Sequence, residues 1–145
     1  MLNQPRHNQL HIVLVEDNDD SRMMMCELLE LSGFQCHTAE SGLMGLEIIE
    51  EQRPDVAIVD IGLPDIDGFE VARRLRQNHR LEGLHLIALT GYGQREDRDE
   101  AHQAGFDTHL VKPVDFEVLF TLLRAQVAKR TSAPPEARDS VDLVG

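Results

Sequence analysis

A chain of 145 residues, 41% apolar and 28% charged, has the composition of one globular domain with a real core. Its 26 acidic residues against 14 basic ones leave a net charge of −12, which argues against a nucleic-acid surface and for a metal cation or a basic partner. Cys26 and Cys36 fit two buried thiols of a reducing compartment, and "MLNQPRHNQL" lacks a signal-peptide core, so the expectation is a cytoplasmic protein without membrane contact.

Residues 1–9 form a leader, and "HIVLV" (11–15) is the first short apolar run, as expected of a strand buried on both faces. "DSRMMMCELLELSG" follows as a helix with Met24, Met25, Leu28 and Leu31 on one face and Gly33 as its stop. Two of its three consecutive methionines are expected in the core. The exposed one, with Arg22, is a candidate partner contact. "FQCHTA" (34–39) is a weaker strand nearer a sheet edge. Ser41 then caps a helix that points Leu43, Leu46 and Ile49 inward and stops at Pro54.

"VAIV" (56–59) is the third strand, followed by a helix with Val71, Ala72 and Leu75 inside, and "HLIAL" (85–89) is the fourth. "QREDRDEAHQAG" (94–105) offers only Ala101 and Ala104 as an apolar face and is flanked by Gly91, Gly93 and Gly105. That pattern fits a weakly held, mobile helix or simply a solvated surface helix. "THLV" (108–111) is the second edge-like strand. The last helix is the clearest, with Asp115 as cap and Phe116, Leu119, Phe120, Leu123 and Val127 at helical spacing. Residues 131–145, with Pro134-Pro135, read as a disordered tail. Strand and helix alternating five times predict an α/β fold with one parallel sheet covered on both faces.

In a parallel sheet every strand points the same way, so whatever follows each apolar run gathers on one rim, where open α/β sheets place their sites. The first run ends in Glu16-Asp17, the third in Asp60, the fourth in Thr90 and the fifth in Lys112. Three close carboxylates repel one another, and a hard divalent ion such as Mg²⁺ relieves the repulsion while still sharing a phosphate oxygen. With a lysine and a hydroxyl added, the rim is equipped to hold a phosphoryl group, and Asp60 is the natural nucleophile for an acyl phosphate.

"VLVEDN", "VDIGLPDIDGFE", "LTGYG" and "HLVKPV", in this order, resemble the receiver domain of two-component response regulators over residues 10–130. The resemblance implies a flavodoxin-like (βα)5 doubly wound sheet of strand order 2-1-3-4-5. It implies Asp60 as phosphoacceptor and Mg²⁺, with Mn²⁺ as substitute, held by Asp17, Asp60, Glu16 through water and the Gly62 carbonyl. Thr90 would be the switch hydroxyl and Lys112 the phosphoryl partner, with a cis bond before Pro113. His109 stands at the aromatic switch position, where a titratable ring could add pH sensitivity, although a partly exposed surface histidine is the favoured reading. Gly62 leaves the site open to water, and Tyr92 could cover that gap, so the lifetime of the acyl phosphate stays open.

The function expected is a phosphorelay switch, not an enzyme beyond its self-catalysed phosphoryl uptake and loss. It would be charged by a sensor histidine kinase or a histidine phosphotransfer protein, and would act on a downstream protein through the face of the fourth helix, fifth strand and fifth helix. The alternative within the class is the receiver of a hybrid histidine kinase passing phosphate to a histidine phosphotransfer protein. From other classes, an aspartyl-phosphate phosphatase is half supported by Asp17 and Asp19, and a flavin- or nucleotide-binding protein lacks any glycine-rich phosphate loop. Asp65 and Asp67 read as turn formers beside Gly68, and Asp19 and Asp20 as capping and first-turn residues. The seven histidines lack ligand spacing and do not suggest a transition-metal site.

Overall fold

The computed structural model describes residues 9–91 and 95–131. Its strands are β1 (His11–Val15), β2 (Gln35–Ala39), β3 (Val56–Asp60), β4 (His85–Thr90) and β5 (Thr108–Val111). The helices are α1 (Asp19–Leu31), α2 (Gly42–Gln52), α3 (Gly68–Arg76), α4 (Arg95–Ala104) and α5 (Phe116–Thr131). All strand pairs are parallel, in the order β2-β1-β3-β4-β5, so the alternation and the inherited order both hold. The leader up to residue 8, Tyr92, Gly93, Gln94 and the tail from residue 132 lie outside the described residues.

The continuous apolar runs are explained by burial on both faces. Along β1, Val13 and Val15 join Leu46, Ile49, Val71 and Leu75 on one side of the sheet. Ile12 and Leu14 join Met25, Leu29, Leu119 and Leu123 on the other. The same alternation along β3 and β4 makes these strands rigid rods, and each ends at the same rim.

Local signals account for the helix boundaries. Asn18 caps α1 through Ser21 N–H, Ser41 caps α2 through Met44 N–H, and Asp67 caps α3 through Glu70 N–H. Asp115 accepts from Glu117 N–H at the start of α5. Gly33 adopts a φ of +96° just past α1, as a stop residue should.

Two helix faces differ from expectation. In α1 the buried residues are Met25 and Leu29, while Met24 and Leu31 are 54% and 77% exposed, and Met23 is also exposed. A single narrow i, i+4 stripe suffices beneath β1 and β2, so one methionine of the three is core rather than two. In α2, Leu43 is exposed, and Gly42 and Gly45 share the buried face with Leu46 and Ile49. An added Cβ on Gly45 would come within 2.7 Å of Val15, so α2 rides close to β1 on a glycine that hydropathy cannot mark. Cys36 is buried and Cys26 only half-buried; both thiols are free.

Candidate functional site

Glu16 follows β1, Asp60 ends β3, Thr90 ends β4 and Lys112 follows β5, so four elements deliver the expected groups to one rim. Lys112 Nζ donates to Asp60 Oδ2 at 2.5 Å and reaches Glu16 Oε1 at 3.2 Å. Asp60 Oδ1 accepts from the Gly62 N–H at 3.0 Å, and Glu16 Oε2 accepts from the Asn18 N–H at 3.1 Å. Glu16, Asp17 and Asp60 each place a carboxylate oxygen within 4.8 Å of the others. Glu16 and Asp60 are buried and Asp17 is exposed, so the cluster is open on one side.

The electrostatics follow from that geometry. Burial pushes the Glu16 carboxyl above its usual range and neighbouring Asp60 adds to this, against the opposing pull of Asn18 N–H and Lys112. Burial works against the Lys112 ammonium, yet its contacts with Asp60 and Glu16 hold its pKa above the ordinary value. One ammonium does not neutralise three carboxylates. The donor set is all oxygen, partly solvated and net negative, and so fits a hard divalent cation that keeps some of its waters.

Thr90 is buried, and its hydroxyl donates to the Leu110 carbonyl at 3.3 Å, toward β5 rather than into the acid cluster. His109 lies half-buried on β5. Burial and then the charge of Arg98 on α4 hold its pKa below the usual imidazole value. The Lys112–Pro113 peptide is cis. Beside the acid cluster a cleft of about 570 Å³ is lined by Glu16, Met24, Met25, Lys112, Pro113 and Phe116, among others.

Three residues carry structural roles at the site that the sequence reading missed. Arg22, expected as a partner contact, is 14% exposed at its side chain. Its Nη1 donates to the Glu16 carbonyl at 3.0 Å and its Nη2 to Asp19 Oδ1 at 2.6 Å. It braces the loop that carries Asp17. Asp65 accepts from Gly42 and Leu43 N–H groups at 2.8 Å each, tying the loop after β3 to the start of α2. Slight burial opposes its charge, but these donors hold its pKa below the ordinary carboxylate value. Gly68 packs so tightly that a Cβ would lie 2.6 Å from the Asp60 carbonyl oxygen. Gly68 and Asp65 carried a local signal as parts of a turn; the tie from Asp65 to the start of α2 depends on a distant segment, and the brace from Arg22 on the path of the loop after β1.

Known proteins share the family profile and the fold. The profile of the response regulator receiver domain matches residues 12–124. An uncharacterized 14.6 kDa protein of Leptolyngbya boryana is 34% identical over 129 residues, covering 89% of this chain and 96% of the relative. The transcriptional regulatory protein AfsQ1 of Streptomyces coelicolor is 40% identical over 114 residues, covering 79% of this chain; the match spans 49%, about half, of the regulator's length. Among solved structures, the receiver domain of a sensor histidine kinase from Pseudomonas aeruginosa, with a magnesium ion coordinated in its active-site cleft, superposes with a TM-score of 0.76 at 28% identity. That superposition covers 83% of this chain and 98% of the other.

Proposed function

The chain belongs to the response regulator receiver domain family of two-component signalling, and we propose that Asp60 is its phosphoacceptor. The observation that carries this reading is the contact of Lys112 Nζ with Asp60 Oδ2 inside a cluster of three carboxylates. Asp60 attacks the phosphorus of a kinase phosphohistidine: a P–O bond forms, the P–N bond breaks, and the leaving imidazole takes up a proton. Lys112 pairs with the transferred phosphoryl oxygens, and the buried wall of β3 fixes the direction of attack. Asp17, Asp60 and the Gly62 carbonyl, assisted by Glu16, would hold Mg²⁺, which would supply positive charge against the phosphoryl oxygens. Thr90 turns its hydroxyl from Leu110 toward the phosphoryl group, His109 follows, and the face of α4, β5 and α5 changes its affinity for a downstream protein.

Receiver domains are signalling domains rather than conventional enzymes, and here the chemistry is uptake and loss of one phosphoryl group. The domain spans residues 10–130 and works in the cytoplasm with a sensor histidine kinase or a histidine phosphotransfer protein. Among the described residues no helix is long and apolar enough to cross a membrane. A second reading, the receiver of a hybrid kinase passing phosphate onward, is favoured by the similarity to the receiver of a sensor histidine kinase.

The test is incubation with Mg²⁺ and acetyl phosphate followed by intact-mass measurement. Gain of one phosphoryl group, lost in Asp60→Asn and with EDTA, is the expected result. An unmodified wild-type mass in the presence of bound Mg²⁺ would reject the assignment. Phosphotransfer from candidate kinases then separates the first reading from the second.

A further inference from the structure

The loop between β1 and α1 carries two of the three clustered carboxylates, and it is pinned unevenly. Glu16 N–H donates to the Ala39 carbonyl at 3.0 Å, so Glu16 continues the pairing of β1 with β2. Asn18 is held three times. Its N–H donates to Glu16 Oε2 at 3.1 Å, its side-chain oxygen accepts from Ser21 N–H at 2.9 Å, and its carbonyl accepts from Arg22 N–H at 2.9 Å. Asp17 between them is exposed, and among the described residues its backbone has one hydrogen-bond partner, Arg22, whose Nη1 lies 3.5 Å from the Asp17 carbonyl oxygen.

The Arg22 side chain, 14% exposed, folds back from the first turn of α1 over this loop instead of reaching into solvent. The same Nη1 donates to the Glu16 carbonyl, while Nη2 donates to Asp19 Oδ1 and stands 3.7 Å from Glu40 Oε2. Glu40 directly follows β2, so one planar group spans the loop, the head of α1 and the neighbouring strand end. Its charge works in the other direction. A cation in the first turn opposes the helix dipole and repels a dication arriving at the acid cluster.

We propose that Arg22 is a positioning residue for the metal site: it fixes the backbone from which Asp17 reaches the cation, and this order outweighs the repulsion that its charge brings. The inference rests on the receiver reading, in which Asp17 would be a ligand of Mg²⁺. Groups that orient metal ligands from behind contribute roughly ten- to hundredfold in affinity. Arg22 acts on one ligand through one short loop, which places it at the lower end.

Two variants separate charge from position. Arg22→Lys keeps the charge but loses the fork, and Arg22→Gln loses both. Mg²⁺ is titrated into the whole chain by calorimetry and followed at the amide resonances of Asp17, Asn18 and Gly62. The expected result is roughly tenfold weaker Mg²⁺ binding in Arg22→Lys, and a smaller weakening in Arg22→Gln, where the lost repulsion offsets part of the effect. Unchanged binding in Arg22→Lys, or tighter binding in Arg22→Gln, would show that Arg22 acts through its charge alone and would overturn the proposal. Urea unfolding without metal checks that each variant folds. Relaxation of the Arg22 side-chain nitrogens in the wild type gives a reading that needs no variant. A guanidinium as ordered as the backbone of α1 is expected, and one as mobile as a solvated arginine would overturn the role. A wild type that takes up no Mg²⁺ would instead reject the metal site on which the receiver reading depends, so the two failures are told apart.

Discussion

Asp60 works because its surroundings leave it little freedom, and two glycines set the terms. A Cβ on Gly68 would lie 2.6 Å from the Asp60 carbonyl oxygen and 2.8 Å from Ile61 Cα, both backbone atoms that cannot step aside. Gly68→Ala therefore moves α3 away from the end of β3. We expect a loss of about 1–3 kcal/mol in urea unfolding, reduced only in part by the better helix propensity of alanine. The same shift tilts the carboxylate and should slow acetyl phosphate uptake roughly tenfold or more, measured by intact mass. Gly62 is the opposite case, since an added Cβ there meets only Asp60 Oδ1, at 3.9 Å. Gly62→Leu fits that space and displaces water without offering it a proton acceptor. The acyl phosphate should then survive several-fold longer in a mass-spectrometric decay series, and a shorter lifetime would show that water reaches the phosphorus by another path.

At the scale of elements, Arg76 joins three parts of the fold. From the end of α3 its Nε donates to the Gly105 carbonyl, its Nη1 to the Leu84 carbonyl and its Nη2 to Asp107 Oδ2, at 2.9, 2.9 and 2.7 Å. Asp107 in turn accepts from Leu86 N–H at the start of β4. Gly105, at a φ of +117°, has no room for a Cβ because the Arg76 side chain lies 2.6 Å away. The alanine face of α4 is small, so this clamp does much to seat its carboxyl end. Arg76→Met keeps the aliphatic stem but removes the donor from two carbonyls and leaves Asp107 with the Leu86 N–H and solvent. It should cost roughly 2–4 kcal/mol in urea unfolding, set by the loss of several charge-assisted bonds. A change below about 0.5 kcal/mol, the usual range for a surface substitution, would show that solvent replaces the clamp.

For the molecule as a whole, what the sequence made legible was what repeats along the chain or ends a run. Strands buried on both faces read as unbroken apolar segments, and the groups at their tips read as a site because parallel strands share a direction. The helix faces were less legible: α1 buries only Met25 and Leu29 fully, and α2 packs through glycines as much as through Leu46 and Ile49. Arg22, Asp65 and the facing pair His11 and His37 were invisible because their roles arise between segments distant in sequence or from backbone contacts. The histidines also set how stability responds to acid. Burial lowers the pKa of His11, His85 and His109; repulsion adds to it, from His37 at the first, from Lys129 and Arg76 at the second against Asp107, and from Arg98 at the third. Each folded pKa lies below the unfolded value of 6.5, so between them the unfolded chain binds more protons than the native one. Their contribution is complete above pH 6.5 and is lost as pH falls through the folded values. Glu16 acts in the other direction, because its raised carboxyl favours the native state below its ordinary pKa of 4.5 and loses that advantage as pH rises. From pH 7.5 to 5.5 the three imidazoles and the one carboxyl act in opposite directions, and we expect the imidazoles to govern. Urea midpoints in Mg²⁺-free buffer should fall over that interval, and His11→Gln with His85→Gln should flatten the slope. A midpoint that rises toward pH 5.5 would mean that the acid cluster, rather than the histidines, governs the response.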